Sequence, residues 1–131
     1  MSKLLYRLCA VSIATSTLAI AQTYPSRPVR LIVPYSAGNT DTTARIFGAK
    51  LAERLGQQVV IDNRPGAGAN IGAGIAAHSP ADGYVHFYAS LSHAGNQSLY
   101  AKLNYDLVKD FTPITVLVDR KSTRLNSSHI P

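Results

Sequence analysis

Two short polar stretches hold the residue types that could do chemistry. The first is Tyr35-Ser36-Ala37-Gly38-Asn39-Thr40-Asp41, set between the apolar run Val29 to Val33 and an amphipathic segment ending at Leu55. A strand that runs into a helix collects unpaired backbone N–H groups and the positive end of a helix dipole. Such a junction suits an anion. Ser36 and Asn39 add hydroxyl and amide groups, Tyr35 an aromatic wall, and Ala37 little bulk. Gly38 would let a ligand approach the backbone. Asp41 or Thr40 is expected to cap the helix that follows, by accepting from its first N–H groups. An ordinary strand-to-helix turn would have the same composition.

The second stretch is Ser90-Leu91-Ser92-His93. A serine beside a histidine raises nucleophilic catalysis. However, the chain has no G-x-S-x-G elbow and no evident orienting acid. Polar contact with a ligand is the better reading of Ser90, Ser92 and His93, and a secreted Ser/His hydrolase is the alternative. His78, His86 and His93 lack metal-ligand spacing, so no metal is expected. Gly66-Ala67-Gly68-Ala69-Asn70-Ile71-Gly72 is one residue too long for a dinucleotide fingerprint and follows the second strand of its unit. A tight turn with close helix packing explains it better, and no cofactor is expected.

The elements that must position these stretches can be read in order. Pro25 and Pro28 give an extended entry. Val29 to Val33 is an almost continuous apolar run, as expected of a strand covered on both faces. Ala44, Phe47, Leu51 and Leu55 form one helical stripe, with Gly56 placed to end it. Gln58 to Ile61 is a second strand and Asp62 to Ala69 a loop. Asn70 is expected to cap a short helix from Ile71 to about Ala77. Ser79 to Gly83 reads as a turn and Tyr84 to Ala89 as a third strand. His93 to Tyr100 reads as helical, Leu103 to Phe111 as an irregular link, and Pro113 to Val118 as a fourth strand. Strict alternation of this kind predicts a parallel sheet flanked by helices. Ligands in such sheets sit beyond the carboxyl ends of the strands.

Both ends of the 131-residue chain read differently from its middle. Lys3 and Arg7 precede a short apolar stretch that closes on Ala19-Ile20-Ala21, which predicts a signal peptide over residues 1–21 cleaved after Ala21. A short membrane anchor is the alternative. The lone cysteine, Cys9, falls inside that segment, so the expected mature chain has none, which suits the bacterial periplasm. From Asp119 the chain reads DRKSTRLNSSH, which matches the translation of a common sequencing adapter at all eleven positions. Residues 119–131 are therefore read as adapter read-through rather than a basic tail, and residues 22–118 as the truncated natural segment. Of the formal net charge of +6, the leader and the tail carry +2 each. The +2 left is too little to argue for nucleic acid or a membrane surface.

Between these ends the chain resembles a known family. YPSRPVRLIVPYSAGNTDTTAR, VVIDNRPGAGANIGA, SPADGY and SLYAKLNYDLVKDFTPI occur in that order from Tyr24 to about Val118. They look like the substrate-binding receptors of tripartite tricarboxylate transporters, also called the Bordetella uptake gene family. The resemblance implies a type II periplasmic-binding-protein-like α/β fold, here a partial first domain with a mainly parallel sheet. It implies a receptor, not an enzyme, that passes a small carboxylate to membrane permease subunits; a periplasmic sensor would look the same. It places the carboxylate at the loops after the first and third strands, hence at Tyr35 to Asn39 and at Ser90, Ser92 and His93. The family's first loop commonly reads P-[FY]-x-x-G-G-x-x-D, and the loop here is one residue shorter with one glycine. Family members are also much longer. The chain as given is thus expected to expose a sheet edge, fold marginally and bind ligand weakly.

Overall fold

The computed structural model describes residues 24–118. The proposed leader, residues 1–21, and the proposed read-through, residues 119–131, lie outside the described residues. Seven elements follow one another: β1 (Val29–Val33), α1 (Asn39–Leu55), β2 (Val59–Asn63), a 3-10 turn (Ala67–Ala69), α2 (Asn70–Ala77), β3 (Val85–Phe87) and α3 (Leu91–Leu99). The strands form one sheet in the order β2-β1-β3. Both ladders are parallel, with Val33 opposite Asn63 and Ile32 opposite Phe87.

Val29, Leu31, Ile32 and Val33 are buried, so β1 is covered on both faces, as its apolar run requires. On one face Leu31 and Val33 pack with Ala44, and Tyr35, Phe47, Val59, Ile61 and Tyr88 close around them. This is the stripe of α1. Pro34, on the parity of Ile32, meets α2 at Gly72 on the other face. Each buried Val, Leu or Ile side chain contributes about 1.5–3 kcal/mol. The exposed Lys50–Glu53 pair contributes about 0–1 kcal/mol. That pair lies within α1, so packing against β1 is what holds the helix to the sheet.

The helix end at Gly56 follows expectation: φ is 65° and its N–H donates to the Ala52 carbonyl at 3.0 Å. Three expectations are corrected. Pro113 to Val118 is not a strand. Ile114 is 74% exposed and Val116 79%, and a β-branched run without a neighbouring ladder has nothing to pair with. Asp41 does not cap α1, because the cap position is Gly38 and Asp41 is the third residue of the helix, inside its first turn, with no side-chain bond to the helix start. Asn70 is not a cap either; it begins α2, and its side chain turns to other elements. Strand β2 also extends through Asp62 and Asn63, two residues read as loop. Arg30 and Arg64 both pair with the Asp62 carboxylate, which makes that polar strand end tolerable beside an apolar one. Burial opposes the Asp62 charge, but the two guanidiniums outweigh it and hold its pKa below the ordinary value. Among the described residues no helix is long and apolar enough to cross a membrane.

A Cβ added at Gly72 would stand 2.9 Å from the Pro34 side chain and 3.0 Å from the Arg64 carbonyl. Gly72→Ala should cost about 1–3 kcal/mol in denaturant unfolding, the usual range for overpacking. Gly95, in α3, has nothing within 4 Å of an added Cβ. Gly95→Ala should be neutral or stabilising by about 0.5–1 kcal/mol. Equal midpoints for the two variants would contradict this packing.

Candidate functional site at the strand exits

In the order β2-β1-β3 the chain leaves β1 toward β2 and then crosses back over to β3. Strand order thus reverses at β1, and the loops after β1 and β3 diverge beyond their carboxyl ends. That crevice is where open parallel sheets hold ligands. Here the two loops touch. The Tyr35 hydroxyl lies 2.5 Å from Ser90 Oγ and donates to Ser92 Oγ at 3.3 Å. Tyr35 comes from the exit of β1, and the serines from the start of α3.

Ser90 is the N-cap of α3, and its backbone is extended. His93, three residues on, completes a reciprocal capping box. The Ser90 N–H donates to His93 Nδ1 at 3.0 Å, so Nδ1 is an acceptor and the neutral ring carries its proton on Nε2. Among the described residues that Nε2 is buried with no hydrogen-bond partner. Phe87 meets the ring edge-on at 5.0 Å and Tyr35 lies 6.4 Å away, also edge-on. Burial pushes the His93 pKa down, against the Ser90 and Ala69 backbone groups, which favour its charge. Ser90 Oγ lies 3.2 Å from Nδ1, but among the described residues no acid orients the other nitrogen. The pair therefore lacks the geometry of a nucleophile and its base. Among the described residues no His, Cys, Asp or Glu cluster could hold a metal ion.

Ser36, Ala37, Gly38 and Asn39 are exposed at the mouth of the same crevice. Gly38 has φ 163°, an extended value open to any residue, so the backbone itself does not require glycine there. The first turn of α1 leaves its N–H groups pointing toward this loop. Asp41, just behind, is 6% exposed and accepts from Arg45 Nε at 2.8 Å and from Asn63 Nδ2 at 2.9 Å. The Arg45 bond first, then Asn63, holds its pKa below the ordinary carboxylate value. Asp41 is neutralised in place and does not project a free charge into an anion seat.

Behind the crevice a second network fixes the glycine loop. Asn70 Oδ1 accepts from Asn96 Nδ2 and from the Tyr105 hydroxyl, each at 2.7 Å. Asn96 Nδ2 also donates to the Gly68 carbonyl at 2.8 Å. Ala67, Gly68 and Ala69 all have positive φ, which these bonds stabilise. The structure thus gathers Tyr35, Ser90, Ser92 and His93, and leaves Ser36 to Asn39 beside them. Sequence reasoning missed Asn63, Asn70, Asn96 and Tyr105 as supports. Asn63 and Asn70 sit in the N-R-P-G block that carries the resemblance; Asn96 had no signal at all.

Comparisons with known proteins identify a family. The sequence profile of the tripartite tricarboxylate transporter family receptor, TctC, matches residues 43–131. Protein BugT of Bordetella pertussis is 39% identical over 121 residues, which cover 88% of this chain and 37% of BugT. The structure of MatC from Rhodopseudomonas palustris with bound malate superposes with a TM-score of 0.69 at 40% identity, covering 72% of this chain and 33% of MatC. A second R. palustris structure, with adipate, gives a TM-score of 0.61 at 44% identity, over 63% of this chain and 28% of that one. The chain therefore spans about a third of the length of these relatives.

The His93 geometry gives a pH signature. The unfolded imidazole takes up a proton near its ordinary value of 6.5, before the folded one does. The stability that depends on neutral His93 is thus complete above about pH 6.5 and declines as the pH falls below it. Asp41 acts in a separate window, losing its contribution only as pH falls below its ordinary value of 3.8. His93→Gln keeps a side chain able to complete the capping box but cannot titrate. Thermal midpoints measured between about pH 7.5 and 5 should fall for the parent chain and change clearly less for His93→Gln. Equal slopes would remove His93 from this role.

Proposed function

This chain belongs to the tripartite tricarboxylate transporter receptor family, and on that premise we propose that residues 24–118 form one wall of a carboxylate-binding cleft in an extracytoplasmic solute receptor. The observation that carries the proposal is the Tyr35–Ser90 contact, which joins the exits of β1 and β3 at the point where strand order reverses. The donors around it are neutral: the first N–H groups of α1 and the side chains of Tyr35, Ser36, Asn39, Ser90 and Ser92. Such a set recognises a carboxylate by hydrogen bonds and the helix dipole. The Arg45 guanidinium, at the start of α1, is already committed to Asp41. Two relatives were solved with malate and with adipate, both dicarboxylates, which supports that ligand class here.

The receptor would be exported by the leader at 1–21, work in the periplasm without catalysing a reaction, and hand its ligand to permease subunits of a tripartite transporter. The capping role of His93 argues against hydrolysis, because its Nδ1 already holds the Ser90 N–H. The second wall would come from the part of the protein that the longer relatives have in addition. One wall alone gives weak affinity. Titrating the isotope-labelled chain with malate or adipate should move the amide signals of Tyr35 to Asn39 and Ser90 to His93, with a Kd near ~1 mM, about −4 kcal/mol. The corresponding diamides should bind less well. Low-micromolar binding, or shifts confined to other residues, would count against this wall.

A further inference from the structure

We infer that Asn63 is the positioning residue of the ligand loop, holding both of its ends with one side-chain amide. The inference rests on the reading that Tyr35 to Asn39 lines the cleft. Asn63 is the last residue of β2 and pairs with Val33, so its side chain stands at the carboxyl edge of the sheet, level with the loop that leaves β1. Nδ2 donates to the Tyr35 carbonyl at 3.0 Å and to Asp41 Oδ1 at 2.9 Å. Tyr35 precedes the loop and Asp41 follows it. Oδ1 faces the Arg45 guanidinium at 3.4 Å. The amide orientation is forced: reversed, it would set an oxygen against a carbonyl and a carboxylate, neither of which can donate.

The loop has little else to fix it. Ser36 to Asn39 are exposed. The bonds of Gly38 and Asn39, from Thr42 and Thr43, run only into the helix that the loop itself begins. These bonds shape the turn but do not tie it to the sheet. Asn63 does so at the carbonyl of Tyr35, the residue whose hydroxyl meets Ser90. A carboxylate at position 63 cannot donate at all, so Asn63→Asp would lose both contacts and place two acids together.

Asn63 can therefore be tested by a reciprocal exchange in the full 131-residue chain. In Asp41→Asn/Asn63→Asp the amide at position 41 donates to the carboxylate at 63, and Arg45 keeps an acidic partner. The helix contact is restored, but the Tyr35 carbonyl still faces a group that cannot donate. Thermal midpoints and the amide signals of Ser36 to Asn39 are read in the free chain, and malate affinity is read separately. Asn63→Asp should lower the midpoint and displace the loop signals. The exchange should recover most of the midpoint yet leave the loop signals displaced and malate binding at least tenfold weaker. Asn63→Ala, which adds no charge, should displace the same signals and supplies the comparison if Asn63→Asp does not fold. Recovery of loop signals together with the midpoint in the exchange, or unmoved loop signals in Asn63→Ala, would overturn the inference. Because the loop signals need no ligand, a parent chain that ignored malate would count against the cleft and leave the Asn63 test standing.

Discussion

The structure depends on the pairing of one buried strand with a parallel neighbour on each side. β1 contributes four buried apolar side chains and has no free edge. Its register sets Val33 opposite Asn63 and Ile32 opposite Phe87. All three strands therefore end at one level, and the residues that follow them must meet there. A slip of one residue would turn Leu31 and Val33 away from the stripe of α1 and move Tyr35 off Ser90. The apolar core and the polar crevice are two consequences of the same register.

The polar groups at the crevice are ordered from behind. Asn63 reaches the β1 exit and Asp41; Asn70 joins Asn96 and Tyr105 beneath the glycine loop; His93 closes the start of α3 on Ser90. Each support is a neutral or neutralised group. Cationic side chains would bind an anion more tightly but would also need desolvation and would discriminate less between acids. Backbone N–H groups held at a helix start are pre-aimed and have no side-chain entropy to lose.

Much of this was legible in the sequence, and the failures have physical causes. The apolar run of β1, the stripe Ala44-Phe47-Leu51-Leu55 and Gly56 identified strand, helix and helix end, because hydrophobic period and glycine conformation are local properties. The alternation of strands and helices put the strand exits at one end of the sheet; the family resemblance singled out those after β1 and β3, and the Tyr35–Ser90 contact itself had no signal in the sequence. Asp41 and Asn70 were misjudged as caps because both types accept hydrogen bonds at helix starts as readily as across space. Asp41 instead accepts from Arg45 in its own helix and from Asn63, 22 residues on, and Asn70 from Asn96 and Tyr105, 26 and 35 residues on. Pro113 to Val118 has strand composition, yet strand formation needs a neighbour, which composition does not reveal. Asn63 was read as loop because Asp62-Asn63 interrupts the apolar pattern; the two arginines that make Asp62 acceptable could not be foreseen from spacing.

A single binding surface built from the exits of β1 and β3 would couple Tyr35 to Ser90 in ligand capture. A double-mutant cycle on Tyr35→Phe and Ser90→Ala, read as the Kd for malate, tests this most directly. Groups that share a partner or a network couple by about 0.5–3 kcal/mol, whereas independent sites add. The double variant should lose less affinity than the sum of the single losses, by at least about 0.5 kcal/mol. Strict additivity, or single variants that bind malate as the parent chain does, would contradict it.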